Sequence, residues 1–186
     1  MPSDSFENKI NELKEFPELV EKNYHIALSS MPDALSDKQL NDWFSNGLTI
    51  AKQDVRSWEA SSRFFEVSPA VLKSMPYSYF EKWMECGLKL STESPTLAGA
   101  YFEASPGTMN KLRSRHIESW ALTGSKLHKG TWKSSTLACK FFALSPLLLE
   151  SLSFQQLEKF SEFLDALSIR SYDLASECLN FGQDIF

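Results

Sequence analysis

One short word recurs through this chain. It reads FFEVSP at 64–69, YFEASP at 101–106 and FFALSP at 141–146, an aromatic pair followed by Ser-Pro. Pro69 and Pro106 stand 37 residues apart, and Pro106 and Pro146 stand 40 apart. Fourteen residues after each proline comes a large aromatic: Trp83, Trp120 and Phe160. By the same count Trp43 marks an earlier unit, with Tyr24 and His25 in the places of the aromatic pair. Gly47, Gly87 and Gly124 each follow a Trp by four residues, and Phe160 with Leu164 takes both places in the last unit. Several markers in one register define an internal repeat of 37–40 residues. A period of this size belongs to stacked supersecondary units, because one such unit cannot bury its apolar face alone.

Each unit has the same internal grammar. One segment carries Leu40, Trp43, Gly47 and Ile50, then Phe80, Trp83, Gly87 and Leu90, then Ile117, Trp120, Gly124 and Leu127, and last Leu157, Phe160, Leu164 and Leu167. Offsets of 3, 7 and 10 place all four on one face of an α-helix. Glycine inside a helix costs about 1 kcal/mol relative to Ala. Its return one turn after the Trp therefore predicts a close helix–helix approach. A second helical segment ends in the aromatic pair. Serine is a favoured N-cap and proline a favoured first helical residue, so Ser68, Ser105 and Ser145 are expected to begin a short third helix.

Three helices in about 40 residues is the format of armadillo and HEAT-like arrays. The expected fold is all-α: a short right-handed α-solenoid of about four armadillo/HEAT-like repeats with three helices each. Residues 1–186 form one helical-repeat domain in this reading. An N-terminal cap and half repeat occupies 1–35, followed by repeats at 36–76, 77–113 and 114–153. A degenerate C-terminal repeat at 154–186 has Cys178 and Leu179 in the aromatic-pair places.

Composition agrees with an ordinary folded chain: 42% hydrophobic and 23% charged residues, with few Gly and Pro for an all-β protein. Three unclustered cysteines, Cys86, Cys139 and Cys178, read as reduced buried thiols rather than a disulfide framework. No apolar run approaches the roughly 20 residues needed to span a bilayer, and the N-terminus lacks the layout of a secretion signal. A cytoplasmic location is expected.

The recurring Trp43, Gly47, Leu48, Phe64, Phe65, Ser68 and Pro69, with their later copies, resemble helical repeats of bacterial proteins that carry a von Willebrand factor type A domain. These are relatives of the nitric-oxide-reductase activation and CO-dehydrogenase maturation proteins, which work beside MoxR-type AAA+ ATPases. The resemblance covers most of residues 24–186 and consists of packing residues. This chain has no room for a type A domain, and "DALSIRS" does not match its Asp-x-Ser-x-Ser metal motif. What the resemblance implies is a scaffold relation, with a MoxR-type AAA+ ATPase or a type A domain protein as partner; it transfers no catalytic or metal residue.

Catalytic signatures are missing: there is no Gly-rich phosphate loop, nucleophile elbow, HExxH or CxxC. His25, His116 and His128 fall at irregular repeat positions, and His25, in an aromatic-pair place, reads as a packed or half-buried ring. Glu66 and Glu103 follow aromatic pairs, but Ala143 replaces them in the third copy, which fits solvated or helix-contact sites. No enzyme activity, cofactor or metal site is expected.

The residues that break the repeat carry more information. Trp58 corresponds to Pro95 and Ser135, and Trp132 to Val55 and Thr92. Each stands near the start of a second helix, where it either anchors a partner or covers a local gap. Charge is also uneven. Residues 104–140 hold seven Lys and Arg against Glu118 alone, a net +6, while 1–40 sum to −4, 41–103 to −2 and 141–186 to −5. Arg113, Arg115, Lys126, Lys129 and Lys133 surround Trp132, and His128 marks this unit as the divergent one. Such a patch either grips phosphates or an acidic segment, or is balanced by acidic neighbours. The function expected is a non-enzymatic protein–protein interaction module or scaffold, with a nucleic-acid-binding helical repeat using 111–140 as the alternative.

Overall fold

A computed structural model describes residues 11–32 and 35–185, and the first ten residues of the expected N-terminal cap lie outside them. The helices are α1 (Glu18–Ser30), α2 (Asp37–Ala51), α3 (Ser57–Ser74), α4 (Tyr77–Glu93), α5 (Pro95–Met109), α6 (Ser114–Leu127), α7 (Trp132–Ser151), α8 (Phe154–Arg170) and α9 (Tyr172–Ile185). No strand occurs among the described residues. Boundaries follow local chemistry. Capping boxes start α2 (Ser36 with Gln39), α7 (Thr131 with Ser134) and α8 (Ser153 with Gln156), each satisfying backbone N–H groups that a helix start leaves orphaned. Ser94 caps α5 ahead of Pro95.

The helices form two layers. In one, α1, α3, α5, α7 and α9 pack each on the next; in the other, α2, α4, α6 and α8 do the same. Each even-numbered helix also packs against the odd-numbered helix that follows it. The core is aromatic: Trp43, Trp83, Trp120, Phe65, Phe102 and Phe142 are all fully buried. The first residue of each pair stacks on the Trp that follows by 19 residues. Centroid distances are 5.5 Å for Tyr24–Trp43, 5.5 Å for Phe64–Trp83 and 4.8 Å for Tyr101–Trp120. The second residue meets the Trp of the preceding helix edge-on, as in Trp43–Phe65, Trp83–Phe102 and Trp120–Phe142. Such pairs contribute about 0.5–1.5 kcal/mol each beyond area burial.

The expected third helix does not form, so each unit has two helices. Pro69, Pro106 and Pro146 lie inside α3, α5 and α7. A proline removes one backbone hydrogen bond and crowds the carbonyl four residues back, but here the serine before it is committed elsewhere. Ser68, Ser105 and Ser145 donate to the carbonyls of Phe64, Tyr101 and Phe141, four residues earlier in the same helix. Two of these hydroxyls also accept an indole N–H, Trp83 Nε1 to Ser105 Oγ at 2.8 Å and Trp120 Nε1 to Ser145 Oγ at 2.9 Å. The serine thus serves the tertiary contact, not a helix start, and the helix runs through the proline.

Two further expectations change. His25 is exposed, not packed, with Nε2 3.9 Å from Glu21 Oε1; no Trp-bearing helix precedes it among the described residues to receive the ring. Cys86, Cys139 and Cys178 are half-buried rather than buried, because they sit on helix edges between neighbours.

Candidate functional site

The side chains of α5 are small along its outer face, which leaves the surface between α5 and α7 hollow. Ala100, Ala104, Gly107, Cys139, Ala143 and Pro146 line a groove there of about 690 Å³, with Glu103 and Lys140 at its margin. A second groove of about 210 Å³ between α3 and α5 shares Thr96, Ala100, Glu103 and Cys139 with the first, so both belong to one surface crossing α5. At Gly99 a Cβ would meet nothing within 4 Å, so the glycine leaves the surface bare without serving any close contact. Around it, Arg63 and Glu66 pair at 2.9 Å, and that bond raises the Arg63 pKa.

Trp132 stands at the head of the first groove. It opens α7, capped by Thr131, and is 75% exposed. Ser135, Thr136, Cys139 and Ala143, which line the groove, follow it along one face of α7. The Lys133 ammonium lies 5.7 Å from the Trp132 ring centroid. Trp58 sits differently: it is half-buried and packs against the core, in the manner of a residue covering a local gap.

The basic segment is largely balanced by its acidic neighbours. Lys129 pairs with Asp165 at 2.6 Å, Lys111 with Glu150 at 2.9 Å and Lys133 with Asp173 at 3.7 Å, while Lys140 donates to Ser176 at 2.6 Å. Lys126, Arg113 and Arg115 are exposed and form no ion pair with the described residues. Arg115 Nε donates to His116 Nε2 at 3.1 Å. His128 is half-buried at the end of α6, where its backbone N–H bonds the carbonyls of Gly124 and Ser125. The expected basic residues are therefore not gathered on one open face: Arg113 and Arg115 flank the start of α6, and Lys126 lies in its last turn.

A third hollow, between α4 and α6, is lined by Lys82, Glu85, Cys86, Glu93, Glu118 and Ser125 and measures about 260 Å³. Burial, assisted by the Glu118 charge, pushes the Cys86 thiol up to about 11. A thiol held protonated in this way is a poor nucleophile. Lys82 and Glu118 pair at 2.9 Å across the hollow, which lowers the Glu118 pKa. No cluster of three His, Cys, Asp or Glu able to hold a metal occurs among the described residues, nor is any helix long and apolar enough to cross a membrane.

Sequence reasoning missed the α5/α7 groove. Its only signals are Gly99 and Gly107 on a helix that needs neither for its fold-wide Trp–Gly–Phe contact, and the run of small residues in α5. Comparison of the chain with protein-family models, with curated proteins and with solved structures finds no match.

Proposed function

We propose that this chain is a non-enzymatic protein–protein interaction module, a short α-solenoid adaptor of about four two-helix units that holds a partner segment across α5 and α7. The observation that carries this reading is Trp132, a large, exposed, non-recurring aromatic at the head of a groove floored by Ala and Gly. Trp is favoured at binding hot spots because it supplies large contact area at low entropic cost. A groove of small side chains admits the backbone or an apolar side chain of a partner without rearrangement. The family resemblance directs the first search to a MoxR-type AAA+ ATPase or a type A domain protein. Nucleic acid is the competing ligand, supported by the unpaired Arg113, Arg115 and Lys126 and weakened by the ion pairs of Lys111, Lys129 and Lys133.

Affinity capture of the tagged chain from its own cell extract, with nuclease and salt arms, tests the reading. A protein partner retained through both treatments by the wild type and lost by Trp132→Ala is the expected result. Material lost on nuclease treatment or in moderate salt, and unaffected by Trp132→Ala, would overturn it in favour of phosphate contact.

A further inference from the structure

The two ends of the stack are finished differently. In α3, α5 and α7 the second aromatic of each pair and the residue four before it face the preceding unit, and all are buried: Phe65 with Ser61, Phe102 with Ala98, Phe142 with Ala138. The equivalent residues of α1 are His25 and Glu21, a solvent-facing charged pair. That is a polar cap, which a stack of repeats needs at an end that stays in water.

At the other end no such replacement is made. The face that each odd helix turns toward the following unit carries the first aromatic and the residues four before and three after it. The residues four before are Val20, Ala60, Leu97 and Leu137, all at most 1% exposed. Their equivalent on α9 is Leu174, 54% exposed. Three residues after the first aromatic stand Ala27, Val67, Ala104 and Leu144, buried or half-buried, against Phe181 at 60%. Cys178 lies between them, half-buried, so Leu174, Cys178 and Phe181 make an uncharged stripe at i, i+4 and i+7. Phe163 on α8 extends it, 53% exposed where Asn46, Cys86 and Thr123 stand in the earlier units.

We infer that this face, the continuation of the interface by which each unit covers the last, is covered by a second copy of the chain in a tail-to-tail dimer. A copy cannot stack head-to-tail, because the α1 end presents Glu21 and His25. The contact is therefore isologous and closes at two chains instead of growing into a fibre. About a two-fold axis α9 lies antiparallel to its counterpart, with Leu174 of one copy against Phe181 of the other. The small Cys178 at the centre lets the helices approach. Residues 141–186 carry a net −5 in each copy, so screening by salt strengthens the dimer while the apolar stripe holds it. This inference is independent of the adaptor reading, whose groove lies on α5 and α7.

Sedimentation equilibrium on the full chain at low and high salt tests it. The expected result is a monomer–dimer equilibrium whose association constant rises with salt and falls more than about tenfold, about 1.4 kcal/mol, in Leu174→Glu and Phe181→Glu. A short bis-maleimide should link two copies through Cys178 in a Cys86→Ser/Cys139→Ser background and fail in Cys178→Ser. The Cys178 link reads the geometry without a destabilising charge, so it stands even if a Glu variant unfolds. A chain that stays monomeric at high concentration in both salts, or dimerises without linking at Cys178, overturns the inference.

Discussion

Phe65 occupies the space that a side chain at Gly47 would need: a Cβ built on Gly47 would fall within the Phe65 ring. The same relation holds for Gly87 with Phe102 and Gly124 with Phe142. Ser61 Oγ donates to the Gly47 carbonyl at 2.8 Å beside this contact, so α3 lies hard against α2 there. The recurring glycine is thus a socket for the recurring phenylalanine. In the last unit both partners change together, Leu164 for the glycine and Leu179 for the phenylalanine, and both are fully buried.

Gly124→Ala is expected to destabilise the protein by about 1–2 kcal/mol, although alanine is the better helix former by about 1 kcal/mol, because the added methyl overpacks a filled socket. Phe142→Leu made in the same molecule should recover part of that loss. Urea midpoints of both single variants and the double variant measure the coupling. Additive effects, with no recovery, would show that the ring and the glycine do not share the space.

The serine before each proline is expected to differ between units. Ser105→Ala leaves the buried Trp83 indole N–H without its acceptor, and should cost about 1–3 kcal/mol. Ser68→Ala removes a bond to the Phe64 carbonyl but no indole partner, since Trp43 Nε1 has no hydrogen-bond partner among the described residues. It should therefore cost less. Equal losses in the two variants would contradict the assignment of the indole bond.

How much of this was legible in the sequence depends on whether the signal lies in residues that recur. Trp43, Gly47 and Phe65 announce the stacking because each returns in register, and their burial matches that reading. The Ser-Pro word was misread because serine before proline fits two roles, N-cap and acceptor of an indole, and only the Trp–Ser geometry decides between them. The charge pattern was half legible: Lys129–Asp165, Lys111–Glu150 and Lys133–Asp173 join residues 36, 39 and 40 apart, about one repeat each. Matching acids were thus in the sequence at the right spacing. The α5/α7 groove was illegible because a hollow is made by side chains that are small, contributed by segments about 40 residues apart.

Trp132 and Trp58 should separate by function and stability. Trp132→Ala should leave the melting temperature close to wild type, since its ring is mostly in solvent, while partner capture is lost. Trp58→Ala should lower the melting temperature by an amount matching about 1–3 kcal/mol, because its ring packs on the core. Thermal melts of the two variants side by side decide this. A large loss in Trp132→Ala would mean that the ring supports the fold.

His116 should give the protein a pH dependence near neutrality. Its ring stacks on Phe154 with centroids 4.3 Å apart and planes 11° from parallel, and its Nε2 accepts from Arg115. Burial lowers the His116 pKa from its ordinary 6.5, with the Arg115 and Arg113 charges acting the same way and Glu158 opposing them. The folded protein therefore prefers the neutral ring, and the unfolded chain binds the proton more readily. That contribution to stability is complete above 6.5 and is lost as pH falls through the lower folded value. Acidifying from roughly pH 7 to pH 5, across the histidine range, should lower the melting temperature of wild type more than that of His116→Phe, which keeps a ring on Phe154 without a titrating group. A proton NMR titration of His116 should show a midpoint below 6.5. A midpoint above it, or parallel pH profiles for the two proteins, would place the neutral-ring account in error.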